Sequence, residues 1–388
     1  MDGTNRHDLV KAGRDLRVDL ARGIALWFIF IDHVPGNVLD DFTLRNFALC
    51  DATEAFVLLA GYAAGLAYGR QMDRGGWFAA AWKVLGRVFT LYVAHIFLFV
   101  VFTAQVGYSA AALDSMAYLD EMHLDAFGEQ PYRALLEALL LRFQPAFLNI
   151  LPLYIVVLGM FAVALPLLRR PGWLLAGSGL IYAYARLRGV NLPSWTGGGW
   201  FFNPLAWQLL FVLGAIMGYQ PPGQPARALR WNRWVGAGCV VVLALSFAAV
   251  FFIWHRRDLL GMLPLPVATV VDAVDKTALH PFRLLSILAL TYLVAHTIPK
   301  AARWLSGWVA WPLLLMGQQG LHVFCAGIFL AFLGRLAIEA SEGWAMQAAV
   351  NLAGLGAMVL VGAAVAWSSG KPRRGEPALP AGARMDTV

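Results

Sequence analysis

Arg22 and His33 stand eleven residues apart in one apolar run, residues 20–34. Eleven residues are close to three turns of an α-helix, so both side chains project from one face, about 16 Å apart along the axis. Asp19, three residues before Arg22, lies near the same face. An imidazole is a good general base toward a hydroxyl, and a guanidinium fits the oxygens of a phosphate or carboxylate. Ionisable groups are costly inside a membrane, where they mark reaction or transport paths.

Neighbouring residues extend both chemistries. Asp32 is adjacent to His33 but points about 100° away around a helix, so Asp51 or Glu54 is an equal candidate to orient the imidazole. Pro35 and Gly36 break the helix just beyond. His33 reads either as a base or as a structural donor; Arg22 reads either as an anion clamp or as an interfacial arginine. Lys83 and Arg87, one turn apart, would add to such a clamp or serve as ordinary cytoplasmic anchors. His95, in Leu91-Tyr-Val-Ala-His95, is a second polar lining candidate beside a purely structural reading. Gln318, Gln319 and His322 form a polar cluster that suits substrate lining and interhelical hydrogen bonding equally.

The elements that must carry these groups are membrane helices. Apolar residues make up 60% of the chain and charged residues 14%, against about 25% charged in ordinary globular proteins. Apolar stretches near spanning length cover residues 20–34, 52–68, 78–104, 146–168, 173–185, 200–219, 235–254, 281–298, 309–333 and 344–367. The expected fold class is therefore all-α: a polytopic membrane protein of about ten transmembrane helices. One integral-membrane domain over 1–367 would be followed by a disordered cytoplasmic tail, 368–388, rich in Pro, Gly and Ala.

Charge sets the orientation. Odd-numbered spans are preceded by basic residues such as Arg6, Lys11, Arg14 and Arg17, Arg70 and Arg74, Arg169 and Arg170, or Arg227, Arg230 and Arg233. The segment between spans three and four is acidic, with Asp114, Asp120, Glu121, Asp125 and Glu129. Basic loops stay in the cytoplasm, which predicts both termini there. This distribution accounts for the net charge of +7 and removes nucleic acid as a partner. Residues before Arg17 are too polar for a signal peptide, so the first run is expected to stay as a helix.

Cys50, Cys239 and Cys325 lie in or beside different spans with no metal-ligand spacing, so no metal is expected. Gly61 and Gly65 make a small-xxx-small pattern for close helix packing. Gly197-Gly-Gly-Trp-Phe-Phe-Asn203-Pro204 allows a tight re-entrant turn before span six; no strand precedes it, so it is not read as a phosphate loop.

Arg22, ten intervening residues and His33 resemble the signature of the membrane-bound acyltransferase-3 superfamily. The longer string from Arg14 through Asp19, Arg22, Asp32, His33 and Pro35 to Arg45 resembles the OpgC family. So do Leu91-Tyr-Val-Ala-His95, Leu141-Arg142-Phe-Gln144-Pro145, Ile150-Leu-Pro-Leu-Tyr154, the Gly197–Pro204 string and His280-Pro281-Phe-Arg283. The resemblance implies a ten-helix acyltransferase-3-like bundle in the inner membrane that succinylates osmoregulated periplasmic glucans. Acyl-CoA, succinyl-CoA in particular, would be the cytoplasmic donor and a periplasmic glucan hydroxyl the acceptor. Membrane lipid and other glucan-biosynthesis membrane proteins would be its partners. By motif position His33 carries over as the catalytic base, with Asp32 beside it, and Arg22 as the donor-site residue. Lys83 and Arg87 would join Arg22; His95, Glu54, Gln318, Gln319 and His322 would meet the acceptor. The chain departs from the family pattern where a Ser-Gly pair reads Ala60-Gly61 and a Gln-His-Ser-Leu-Glu run reads Gln318-Gln319-Gly320-Leu321-His322.

The helical spacing agrees with that mechanism, because a pantetheine arm is about as long as the Arg22–His33 separation. Three other classes stay open at this level. They are a transporter or flippase relaying protons through His33 and Asp32, a non-catalytic scaffold, and an acyltransferase for another surface polysaccharide.

Overall fold

A computed structural model describes residues 15–223, 230–341 and 343–369. Among them the fold is helical, with one isolated bridge, Pro193 to Gly199, and no strand. The helices are α1 (Leu16–Asp32), α2 (Ala52–Ala112), α3 (Ala117–Glu121), α4 (Asp125–Glu129), α5 (Pro131–Leu139), α6 (Ile150–Ala164) and α7 (Pro171–Arg188). They continue as α8 (Pro204–Gly218), α9 (Arg233–Val250), α10 (Leu265–Asp272), α11 (Pro281–Thr297), α12 (Trp311–Gln318), α13 (Gly320–Ala340) and α14 (Trp344–Ser368).

Five helical segments are long and apolar enough to cross a membrane, namely Ala52–Ala112, Ile150–Arg169, Arg233–Ile253, Gly320–Ala340 and Trp344–Ser368. Pro204–Gly218 and Pro281–Thr297 are shorter apolar helices. Helix occupies each of the ten apolar stretches, so the all-α membrane reading is borne out. Several boundaries differ, among them the start of span four, which falls at Ile150. Spans two and three are limbs of α2, turned at Gly76 (φ 77°, ψ 172°), a backbone state that glycine adopts without steric cost. Span six begins at Pro204, and residues 200–203 belong to the preceding loop. Span nine is broken at Gln319 into α12 and α13. The acidic segment after span three carries the short helices α3 and α4. The tail beyond Ser369 and the basic residues Arg6, Lys11, Arg14 and Arg227 lie outside the described residues.

Helix starts follow local chemistry. Proline opens α5, α7, α8 and α11, where its missing N–H costs nothing. Asp15 caps α1 by accepting from the Arg17 N–H (3.1 Å). The Arg17 guanidinium then donates to Ala295 O (2.7 Å) and Ile298 O (2.8 Å), fastening the start of α1 to the end of α11.

Glycines let helices touch backbone to backbone. A Cβ at Gly61 or Gly65 of α2 would run into the Phe211 or Ala215 carbonyl of α8. Gly214 and Gly218 of α8 face Leu58 and Tyr62 in return, so the expected small-residue seam is double-sided. Gly23 of α1 and Gly317 of α12 make a second such contact, against the Leu313 and Asp19 carbonyls.

Candidate active site

α1 ends where the sequence says it should. His33 is its C-cap (φ −99°, ψ 4°), and Gly36 (φ 77°) turns the chain away. The Nδ1 of His33 lies 2.5 Å from Ile29 O. A carbonyl oxygen only accepts, so this contact assigns the ring proton to Nδ1 and leaves the Nε2 lone pair for a substrate proton. The edge of Phe147 packs on the imidazole at 4.3 Å between centroids. The orienting group is thus a carbonyl of the same helix, not Asp32, Asp51 or Glu54. Asp32 instead faces Arg45 at 3.9 Å, and Arg45 also pairs with Asp40.

His33 and Asp32 line a cavity of about 610 Å³. Its walls come from loops distant in sequence: Arg45, Asp51, His123, Gln144, Phe147, Asn149, Asn191, Thr196, Gly197, Trp200, Phe202 and Lys276. Cross-links hold the loops together. Trp195 N donates to Arg142 O (2.9 Å), Ala146 N to Met122 O (3.0 Å) and Asn203 N to Thr277 O (2.9 Å). His123 (φ 56°) and Phe147 (φ 71°) hold left-handed backbone states that are costly for residues with a Cβ. Trp200 Nε1 and Asp32 Oδ1, both buried and both on lining residues, have no hydrogen-bond partner among the described residues. The lining mixes indole and phenyl rings with amides, hydroxyls, carboxylates and cations.

One wall is built on a four-charge cluster, of which Asp51 and Lys276 reach the cavity. Asp51 caps α2 by accepting from Thr53 N (2.7 Å), and Glu54 accepts from Asp51 N (2.9 Å), forming a capping box. Arg283 bonds Glu54 (2.7 Å) and Asp51 (3.1 Å), and Lys276 bonds Asp51 (2.5 Å). Burial alone would raise the Asp51 carboxyl, but the two cations outweigh it and hold it well below the usual carboxylate range. Glu54, expected at the acceptor, has no exposed side-chain surface and is absent from the cavity lining. It is a positioning residue for Arg283 and the start of α2.

The other expected residues lie outside the cavity lining. Arg22 donates to Gly317 O (3.2 Å) and Leu59 O (3.4 Å) and pairs with Asp19 (3.9 Å). Arg87 is half-buried on the same limb of α2 as Lys83. Lys83 is exposed and donates to Gln71 (2.8 Å) instead. The span-nine cluster belongs beside Arg22 rather than in the His33 cavity: a Cβ at Gly320 would meet the Arg22 side chain, Gln319 forms the α12–α13 break, and His322 is exposed. No residue of the cluster lines the cavity. His95 is fully buried, lies outside the lining and has no hydrogen-bond partner among the described residues.

A family model described as OpgC protein matches residues 14–370, nearly the whole chain. The chain belongs to the OpgC family. No curated protein and no solved structure gives a significant match. OpgC membership ties the protein in general terms to the succinylation of osmoregulated periplasmic glucans and to acyltransferase-type chemistry. Several strings that carry the OpgC resemblance converge on the cavity: His33 and Arg45, Gln144, Ile150, and Gly197 through Phe202. Arg45, His123, Asn191 and Lys276 were not among the candidates read from sequence. Among the described residues no group of His, Cys, Asp and Glu could hold a metal.

Proposed function

We propose that this OpgC-family protein is an inner-membrane O-acyltransferase that moves a succinyl group from cytoplasmic succinyl-CoA to a hydroxyl of a periplasmic glucan. The observation that carries the reading is the placement of His33 at the end of α1, inside a polar, aromatic-lined cavity, with Arg22 about 16 Å back along the same helix. The nucleotide and its phosphates bind near Arg22 and Arg87, and the pantetheine arm follows α1 to bring the thioester carbonyl to His33. The glucan enters from the periplasm against Trp200, Phe202, Asn191 and Gln144.

His33 Nε2 accepts the proton of the glucan hydroxyl as its oxygen attacks the thioester carbonyl. The tetrahedral intermediate expels the CoA thiolate, the C–S bond breaks, and the proton passes from His33 to sulfur. The Ile29 carbonyl holds the imidazole and steadies its cationic form. Both termini lie in the cytoplasm and residues 110–130 in the periplasm, following the distribution of basic and acidic residues.

Purified full-length protein in lipid nanodiscs, given succinyl-CoA and periplasmic glucan, should release free CoA thiol and form ester-linked succinyl glucan by mass spectrometry. Absence of both, with glucan or a proton crossing the bilayer instead, would establish a transporter.

A further inference from the structure

The four-charge cluster does more than fasten the start of α2 to α11. Of its members, Glu54 and Arg283 are withdrawn, with side chains 0% and 13% exposed, while Asp51 and Lys276 both line the His33 cavity, and at 28% against 11% the Lys276 side chain is the more exposed of the two. The cluster balances on paper, and of the two members that reach the cavity the cation is the more exposed. Asp51 is also shared: Arg283 takes part of its charge, so Lys276 is incompletely neutralised. An ammonium carries three N–H donors, of which Asp51 takes one.

The position of Lys276 is set by its backbone. The indole N–H of Trp207, a fully buried residue, is shared between Lys276 O and Thr277 O, both at 3.1 Å. Phe202 presents its ring to the ammonium at 5.6 Å. The other cation of the cavity, Arg45, is already bridged between Asp40 and Asp32. Lys276 is therefore the cation best placed to take an anionic group arriving at His33.

We propose that Lys276 is the specificity residue for the acyl group, binding the free carboxylate that a dicarboxylic acyl donor carries at its far end. This rests on the acyltransferase reading above. With the thioester carbonyl at His33, the rest of the acyl chain extends into the cavity, where a second carboxylate meets the Lys276 ammonium and an acetyl group meets nothing. A charge-assisted hydrogen bond of this kind separates the two donors by about 10- to 100-fold in kcat/KM.

The test compares succinyl-CoA, its neutral methyl ester and acetyl-CoA as donors to periplasmic glucan, using full-length protein in nanodiscs. Wild type should use succinyl-CoA about 10- to 100-fold better than the methyl ester. Lys276→Met should erase that preference by lowering kcat/KM for succinyl-CoA alone, and Lys276→Arg should keep it. Equal use of the three donors by wild type would overturn the proposal without any variant. Equal losses for all three donors in Lys276→Met would also overturn it, since Lys276 would then serve structure or the transition state. If wild type transfers no acyl group at all, it is the acyltransferase reading that fails.

Discussion

Arg283 and Glu54 meet at 2.7 Å across the interface between α11 and α2, with Glu54 fully buried. Removing one partner of such a pair leaves a buried charge uncompensated, which costs about 3–5 kcal/mol. Arg283→Met should therefore lower the melting temperature of purified protein sharply, and Glu54→Gln should do so less because the amide still accepts. An unchanged melting temperature for Arg283→Met would show that the pair does not hold these helices.

The Asp51 carboxyl is depressed by Lys276 and Arg283 despite its burial. A carboxyl with a lowered folded value stabilises fully above its unfolded value, about 3.9, and loses that contribution as pH falls through the lower folded value. The difference in melting temperature between wild type and Asp51→Asn should thus stay constant from about pH 7.5 to about pH 5.5. If the gap closes over that range, the carboxyl titrates well above where the ion pairs hold it.

His33→Gln should reduce acyl transfer by about 10²- to 10⁴-fold, the usual contribution of a positioned base, in a protein that still folds and inserts. His95→Asn should leave the acceptor KM near the parental value, because His95 lies outside the cavity. Initial rates with both variants decide this; near-parental turnover by His33→Gln would place the base elsewhere.

The donor site should grade by position. Arg22→Ala should raise the acyl-CoA KM most, Arg87→Ala less, and Lys83→Ala least, because Lys83 is exposed and turned to Gln71. Donor titrations at saturating glucan give the order, and a Lys83 effect equal to that of Arg22 would contradict it.

Reporter fusions test the orientation. A fusion after Gly128 should report the periplasm and one at the C-terminus the cytoplasm. A periplasmic C-terminus would be incompatible with ten spans.

Local signals were the legible ones. The end of α1 could be read because Pro35 and Gly36 follow His33 directly, and the α2–α8 seam because Gly61 and Gly65 are spaced for it. The partner glycines Gly214 and Gly218 carry the same spacing and went unread. Lys276 was missed because Asp275-Lys276-Thr277 reads as an ordinary polar loop; only its nearness to the string His280-Pro-Phe-Arg283 hinted at a site. His123 reaches the cavity through a left-handed backbone state with no sequence signature. The run Gln318–His322 suits substrate lining and interhelical hydrogen bonding equally, and only the helix break at Gln319 and the approach of Gly320 to Arg22 show where it sits.

α1 is held at both ends and in the middle: by Arg17 on the carbonyls of α11, by Gly23 against Leu313, and by the turn at His33. A helix so clamped acts as a ruler. In the proposed mechanism its fixed length selects the carrier, as Lys276 selects the acyl group. A short activated acyl compound, such as an acyl phosphate, cannot touch Arg22 and His33 together, whereas a carrier with a long arm can. For the acyl transfer proposed above, this reserves the reaction for thioesters on extended arms and excludes small reactive acyl species by reach.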